Sequence, residues 1–133
     1  MAANGKVTTA TLRERKQAGQ RIAALTAYDT LFATLIDNAG VDVILVGDSV
    51  ATVMQGRDTT VSVTMDQMIY HAELVSRGCD RALVVGDLPF LSYQVGIEDA
   101  LRNAGRLLKE GHVEAVKLEG GRAFVPTVER LVS

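Results

Sequence analysis

The chain has 133 residues, 14 lysines and arginines against 16 aspartates and glutamates, and a formal net charge of −2. That balance gives no electrostatic case for nucleic acid or for an anionic membrane surface, and no apolar stretch approaches the roughly 20 residues needed to cross a bilayer. A single cysteine, Cys79, excludes an internal disulfide, and Met1-Ala2-Ala3-Asn4-Gly5-Lys6 has no apolar leader core, so a soluble protein in a reducing cytoplasm is expected.

Residues 8–17 read as a short polar helix, followed by a strand over 22–26. Asp29 or Thr30 caps the next helix, whose apolar residues Leu31, Phe32, Leu35, Ile36 and Ala39 share one face. Gly40 stops it, and a second strand spans 41–46. The polar segment 48–63 is too long for an ordinary strand-to-helix loop and suggests a lid or substrate loop. Thr64-Met65-Asp66-Gln67 is a capping box. It opens a helix that buries Met65, Met68, Ile69, Ala72 and Val75 and ends at Gly78. A third strand spans about 82–86. After Pro89, a helix over 97–110 carries the stripe Ala100, Leu101, Ala104, Leu107 and Leu108. A fourth strand follows over 113–118, and a last helix begins at Thr127.

Strands alternate with helices throughout, which predicts a parallel α/β sheet. An open doubly wound sheet would gather its ligand at one switch point. Here polar signals recur at every strand end, which favours a (βα)8 TIM barrel. A full barrel needs roughly 250 residues. Residues 1–133, with about four βα units, are therefore expected to form its truncated N-terminal half.

Three of the strands lead into a carboxylate: Asp48, Asp87 and Glu119. They are spaced by about one βα repeat, so they belong on neighbouring strand ends. Three hard oxygen donors suit Mg²⁺ or a similar ion, and no histidine at these ends points to zinc. The alternative is that each acid merely caps a helix or turn. Lys117 shares a strand face with Glu119. It is suited to holding a substrate carboxylate or a developing enolate oxygen, or else it snorkels at the strand end. Ser49 can donate to a substrate oxygen, but nothing in the pattern marks it as a nucleophile. Tyr28 lines the pocket or packs, and packing is the simpler reading. His71 reads as a helix-face residue rather than a ligand, His112 as structural, and Cys79 as a core or loop thiol. Gly120-Gly121 either presents backbone N–H groups to an anion or is a plain loop. Arg57 meets an anionic substrate or only water.

These residues sit in segments that resemble the ketopantoate hydroxymethyltransferase family. The segments are Ala24-Leu25-Thr26-Ala27-Tyr28-Asp29, Val46-Gly47-Asp48-Ser49, Val63-Thr64-Met65-Asp66-Gln67-Met68-Ile69-Tyr70-His71, Asp87-Leu88-Pro89-Phe90, Glu98-Asp99-Ala100-Leu101-Arg102-Asn103-Ala104 and Val116-Lys117-Leu118-Glu119-Gly120-Gly121. They appear in family order from about Thr8 onward. The segments 47–52 and 55–63 depart from the usual pattern, within the long loop.

The resemblance implies a cytoplasmic (βα)8 barrel enzyme that assembles as a homodecamer. Such an enzyme transfers a hydroxymethyl group from 5,10-methylenetetrahydrofolate to 3-methyl-2-oxobutanoate through a Mg-stabilised enolate. By resemblance, Asp48, Asp87 and Glu119 hold Mg²⁺, and Asp48, Ser49, Asp87 and Lys117 contact the oxo acid. The family's general-base glutamate falls beyond Ser133, so no catalytic base is assigned within this chain. Two other readings stay open: a Mg-dependent oxo-acid enzyme of the phosphoenolpyruvate mutase and isocitrate lyase group, and an inactive truncated fragment. A half barrel also leaves its first and fourth strands with free edges, which favours self-association.

Overall fold

The computed structural model describes residues 5–133. Met1 to Asn4, part of the segment read above as lacking a leader core, lie outside them. The elements run α1 (Thr9–Gln17), β1 (Ala24–Thr26), α2 (Thr30–Asn38), β2 (Val43–Val46), α3 (Val50–Val53), α4 (Met65–Arg77), β3 (Leu83–Asp87), α5 (Ile97–Lys109), β4 (Ala115–Lys117) and α6 (Val125–Val132). One 3₁₀ turn, Arg122–Phe124, leads into α6. The four strands form one sheet in the order β1-β2-β3-β4, and every pairing is parallel. Parallel neighbours joined through helices give half of a (βα)8 barrel, as the alternation predicts. Among the described residues, no helix is long and apolar enough to cross a membrane.

The helix starts follow side-chain chemistry. Asp29 accepts from the Phe32 N–H at 2.8 Å and caps α2. At α4 the capping box forms in both directions: Thr64 accepts from Gln67 N–H, and the Gln67 side chain accepts from Thr64 N–H. Both devices satisfy N–H groups that a helix start otherwise leaves free.

The core lies between the sheet and its helices. Ile44 and Val84 are register partners on β2 and β3 and are both buried. They pack in one cluster with Met68, Ala72, Val75 and Leu107 from α4 and α5. Gly86 lets α5 come close: a Cβ there would sit 3.2 Å from Leu107 and from Val113. Alternation along β3 then turns Asp87 to the opposite face, the barrel interior.

Two carboxylates organise the other end of the sheet. Asp37, at the end of α2, accepts from the backbone N–H groups of Asp80 (2.9 Å), Arg81 (3.1 Å) and Ala82 (2.6 Å). Burial pushes its carboxyl up, but these three N–H groups outweigh that and hold it below the usual aspartate range. Asp42 accepts from Arg15 (2.5 Å), Arg81 (2.7 Å) and the Ala23 N–H (3.1 Å). Together they tie α1, α2 and the strand starts into one unit.

Of the apolar face expected for α2, only Ile36 packs against the core. The buried residues of the helix are Ala33 and Asp37, whereas Leu31 (68%), Phe32 (58%) and Leu35 (56%) are exposed. The cause is the close approach of α4. A Cβ on Gly78 would lie 2.6 Å from the Thr30 carbonyl and 3.0 Å from Ala33, so the small side of α2 faces inward. The large residues lie at the β1 end of the sheet, where Leu25 is also exposed. At the other end, an open groove of about 770 Å³ runs beside β4, lined by Val116, Leu118, Phe124, Val125, Val128 and Val132. Strands β1 and β4 are also shorter than expected, since each pairs on one side only. Similarly, Leu108 of the α5 stripe is exposed, and α6 begins at Val125 rather than at Thr127.

Candidate active site at the strand ends

Asp87 ends β3 and Lys117 ends β4, and the two are register partners, so their side chains meet on the interior face. Lys117 Nζ donates to Asp87 Oδ1 at 2.7 Å and lies 3.5 Å from Glu119 Oε1. Asp87 is almost fully buried, and burial pushes its carboxyl above the usual range although Lys117 pulls the other way. Burial pulls the Lys117 ammonium down, but its bonds to Asp87 and Glu119 prevail and hold it above the usual lysine value. The site therefore joins a buried carboxyl to a partly exposed ammonium.

Asp48 follows β2 and points its backbone N–H at Asp87 Oδ2, at 3.4 Å. Gly47 leaves room for this approach: a Cβ there would lie 3.0 Å from Ser49 Oγ and 3.9 Å from Asp87 Oδ2. Asp48, Asp87 and Glu119 all line one cavity of about 230 Å³, whose wall includes Thr60, Val61 and Tyr93. The structure thus brings the three sequence-predicted acids together at one site. Among the described residues, no three of His, Cys, Asp and Glu stand close enough to form a ready-made metal cage. The Lys117 ammonium stands between Asp87 and Glu119 and offsets the charge of the buried Asp87 carboxylate, whereas Glu119 is largely exposed. By donor type alone, the three carboxylates are the hard oxygen ligands that a small divalent ion takes.

Ser49 Oγ is 2.5 Å from the Tyr28 hydroxyl, and Tyr28 is buried. The packing role expected for Tyr28 holds for its ring, but its hydroxyl meets Ser49, and neither residue lines the cavity of the three acids. His71 Nδ1 lies 2.8 Å from the Tyr28 carbonyl oxygen. Arg57 neither meets a ligand residue nor points to water alone: it donates to the Ser62 carbonyl (2.8 Å) and to Ser62 Oγ (2.7 Å). It folds the long loop on itself, and α3 gives the same loop a buried anchor at Val50 and Ala51. Gly120 is at φ +134, and a Cβ there would meet the Phe124 ring at 2.2 Å, so this glycine serves a close approach. Cys79 is half-buried, and its thiol is pushed up to about 11 by burial.

Two residues escaped sequence reading. The Tyr93 hydroxyl accepts from the Glu119 N–H at 3.2 Å, and its ring packs edge-on against Phe124. Gln94 also lines the cavity, and its Oε1 is buried with no hydrogen-bond partner. The available signal was their position six and seven residues after a strand-end acid, in a segment broken by Pro89.

The chain is similar to known proteins of one family and to solved structures of one fold. A profile described as ketopantoate hydroxymethyltransferase matches residues 6–133. The 3-methyl-2-oxobutanoate hydroxymethyltransferase of Desulforapulum autotrophicum is 57% identical over 126 residues, covering 95% of this chain and 48% of that protein. That of Moorella thermoacetica is 54% identical over 133 residues, covering 100% and 49%. The chain spans about half the length of the curated relatives it matches. Among solved structures, 2,3-dimethylmalate lyase, a PEP mutase/isocitrate lyase superfamily member, has a TM-score of 0.69 at 20% identity, over 92% of this chain and 46% of that one. Phosphonopyruvate hydrolase, solved with oxalate and Mg²⁺, has a TM-score of 0.62 at 15% identity, over 79% and 36%. At these identities the solved structures show a shared fold, whereas the profile and the close relatives show descent: the chain belongs to the ketopantoate hydroxymethyltransferase family.

Proposed function

We propose that this chain carries the oxo-acid part of a hydroxymethyl transfer site. The reaction takes a one-carbon unit from 5,10-methylenetetrahydrofolate to 3-methyl-2-oxobutanoate and yields 2-dehydropantoate, in pantothenate biosynthesis. The observation that carries this reading is buried Asp87, which is paired with Lys117 and shares a cavity wall with Asp48 and Glu119 in a chain of this family.

Asp48, Asp87 and Glu119 would hold Mg²⁺, and Ser49 and Lys117 would hold the oxo acid. When bound, the ion supplies Lewis-acid polarisation of the substrate's oxygens. Ser49 donates to a carboxylate oxygen. Loss of the C3 proton delocalises its electron pair onto the ketone oxygen, and the Lys117 ammonium offsets that charge. C3 then bonds to the one-carbon unit, water supplies the hydroxyl, and tetrahydrofolate leaves. The proton acceptor in this reading is a glutamate beyond Ser133.

Calorimetric titration with 3-methyl-2-oxobutanoate tests the assignment. Binding is expected only with Mg²⁺ present, and Asp87→Ala and Glu119→Ala are each expected to remove it. Oxaloacetate and phosphonopyruvate are expected to bind far more weakly. Undiminished binding in both variants, or preference for either control, would overturn the reading in favour of another oxo-acid chemistry.

The proposal extends to a cytoplasmic homo-oligomer. The exposed residues at the β1 end and the groove beside β4 are both apolar and both flank strand edges. Sedimentation of this chain at tens of micromolar is expected to show dimers or larger species, and a single monomeric boundary would contradict it.

A further inference from the structure

We propose that Tyr28 is a positioning residue for the oxo acid, acting through Ser49 as a two-hydroxyl relay. The inference rests on the reading of Ser49 as a substrate contact. The Tyr28 and Ser49 oxygens are 2.5 Å apart, the distance of a strong O–H···O bond. Tyr28 is 7% exposed, and this is the one side-chain bond its hydroxyl makes among the described residues. A serine hydroxyl has one hydrogen to give and two lone pairs to receive. If Ser49 is to donate to a carboxylate, its hydrogen must point at the substrate, and the Tyr28 hydroxyl must then donate to Ser49 Oγ. That direction polarises the serine O–H and fixes its rotation, so the donor is aimed before the substrate arrives.

The backbone around this relay is held as well. A carbonyl oxygen only accepts, so His71 Nδ1 carries the hydrogen in its bond to the Tyr28 carbonyl at 2.8 Å. This ties the end of β1 to α4 and sets the height of the Tyr28 ring. On the other side, Gly47 leaves the 3.0 Å space that Ser49 Oγ occupies. The Tyr28 hydroxyl and the space left by Gly47 thus meet at the Ser49 hydroxyl, while His71 holds the Tyr28 backbone, an arrangement that packing of a tyrosine ring does not require.

Tyr28→Phe keeps the ring and deletes the relay. The test is the Kd of 3-methyl-2-oxobutanoate, measured with Mg²⁺ in the parent chain, Tyr28→Phe, Ser49→Ala and the double variant. Tyr28→Phe is expected to weaken binding about fivefold to tenfold. In the Ser49→Ala background, the same substitution is expected to have no further effect on Kd, because the relay has already lost its end. Thermal melting of the same four chains reads any packing loss, which would persist in that background. Parent binding with an unchanged Kd in Tyr28→Phe overturns the inference and leaves the site assignment standing. Equal weakening in both backgrounds also overturns it, since Tyr28 would then act without Ser49. A parent chain that binds no oxo acid overturns the site reading and the inference with it.

Discussion

Lys117→Met is expected to lower the affinity for 3-methyl-2-oxobutanoate at least tenfold and to cost the chain about 2 kcal/mol of stability at neutral pH. The substituted side chain keeps the apolar stem but removes the only cation within bonding distance of Asp87 among the described residues. Asp87 is 3% exposed, so its carboxylate would be left with one long backbone N–H bond from Asp48. Breaking a fully buried pair costs about 3–5 kcal/mol. The Lys117 side chain is 37% exposed, and solvent reduces that figure.

The loss has a pH signature. Asp87 already lies above the usual carboxylate range through burial, and removal of Lys117 raises it further. A carboxyl raised in the folded state contributes stability that is present below its unfolded value and lost as pH rises through its folded value. Denaturation of the variant and the parent should therefore converge as pH falls from 7 towards 4. A constant gap across that range would show that the carboxylate does not depend on Lys117. Equal stability at pH 7 would show that water already solvates Asp87.

Asp37→Ala is expected to be the most destabilising single change away from the site, at about 3 kcal/mol or more. It strands three N–H groups, of Asp80, Arg81 and Ala82, which shape the turn that starts β3. An unsatisfied buried donor costs about 1–3 kcal/mol, and water can relieve part of this at the partly exposed positions. Asp37→Asn should fall between, since its single amide oxygen cannot serve both sides of the turn. The parent's acid sensitivity should fall with it. Asp37 is depressed in the folded state because its N–H partners outweigh burial. Its stabilisation is therefore present above the ordinary aspartate value of about 3.9 and is lost as pH drops through the lower folded value. Thermal melts between pH 5 and pH 2 should show a steeper decline in the parent than in Asp37→Ala. Parallel curves would remove Asp37 from the acid response.

Much of this was legible in one dimension. Helix starts follow local chemistry, so Asp29 and the Thr64–Gln67 box could be read directly. The parallel sheet followed from alternating strands and helices, and the strand-end acids from their spacing. Less legible were features that depend on what lies across the sheet. The spacing of Leu31, Phe32 and Leu35 gives a helical face, but spacing does not say which neighbour that face meets. Gly78 brings α4 against the small side of α2 and turns the large residues outward. Likewise, Arg57 in a polar loop looks free until Ser62 is found beside it.

By itself, the order of residues determined the α/β alternation, the caps, the three acids at strand ends and, through its motifs, the family, because each is encoded by neighbours within a few positions or by a repeat. Only the tertiary structure decided the Asp87–Lys117 pairing, the bond from Tyr28 to Ser49 and the seat of Tyr93 beside Glu119. Each joins residues more than 20 positions apart, and sheet register and loop folding, not local propensity, set which polar atoms come within 3.5 Å.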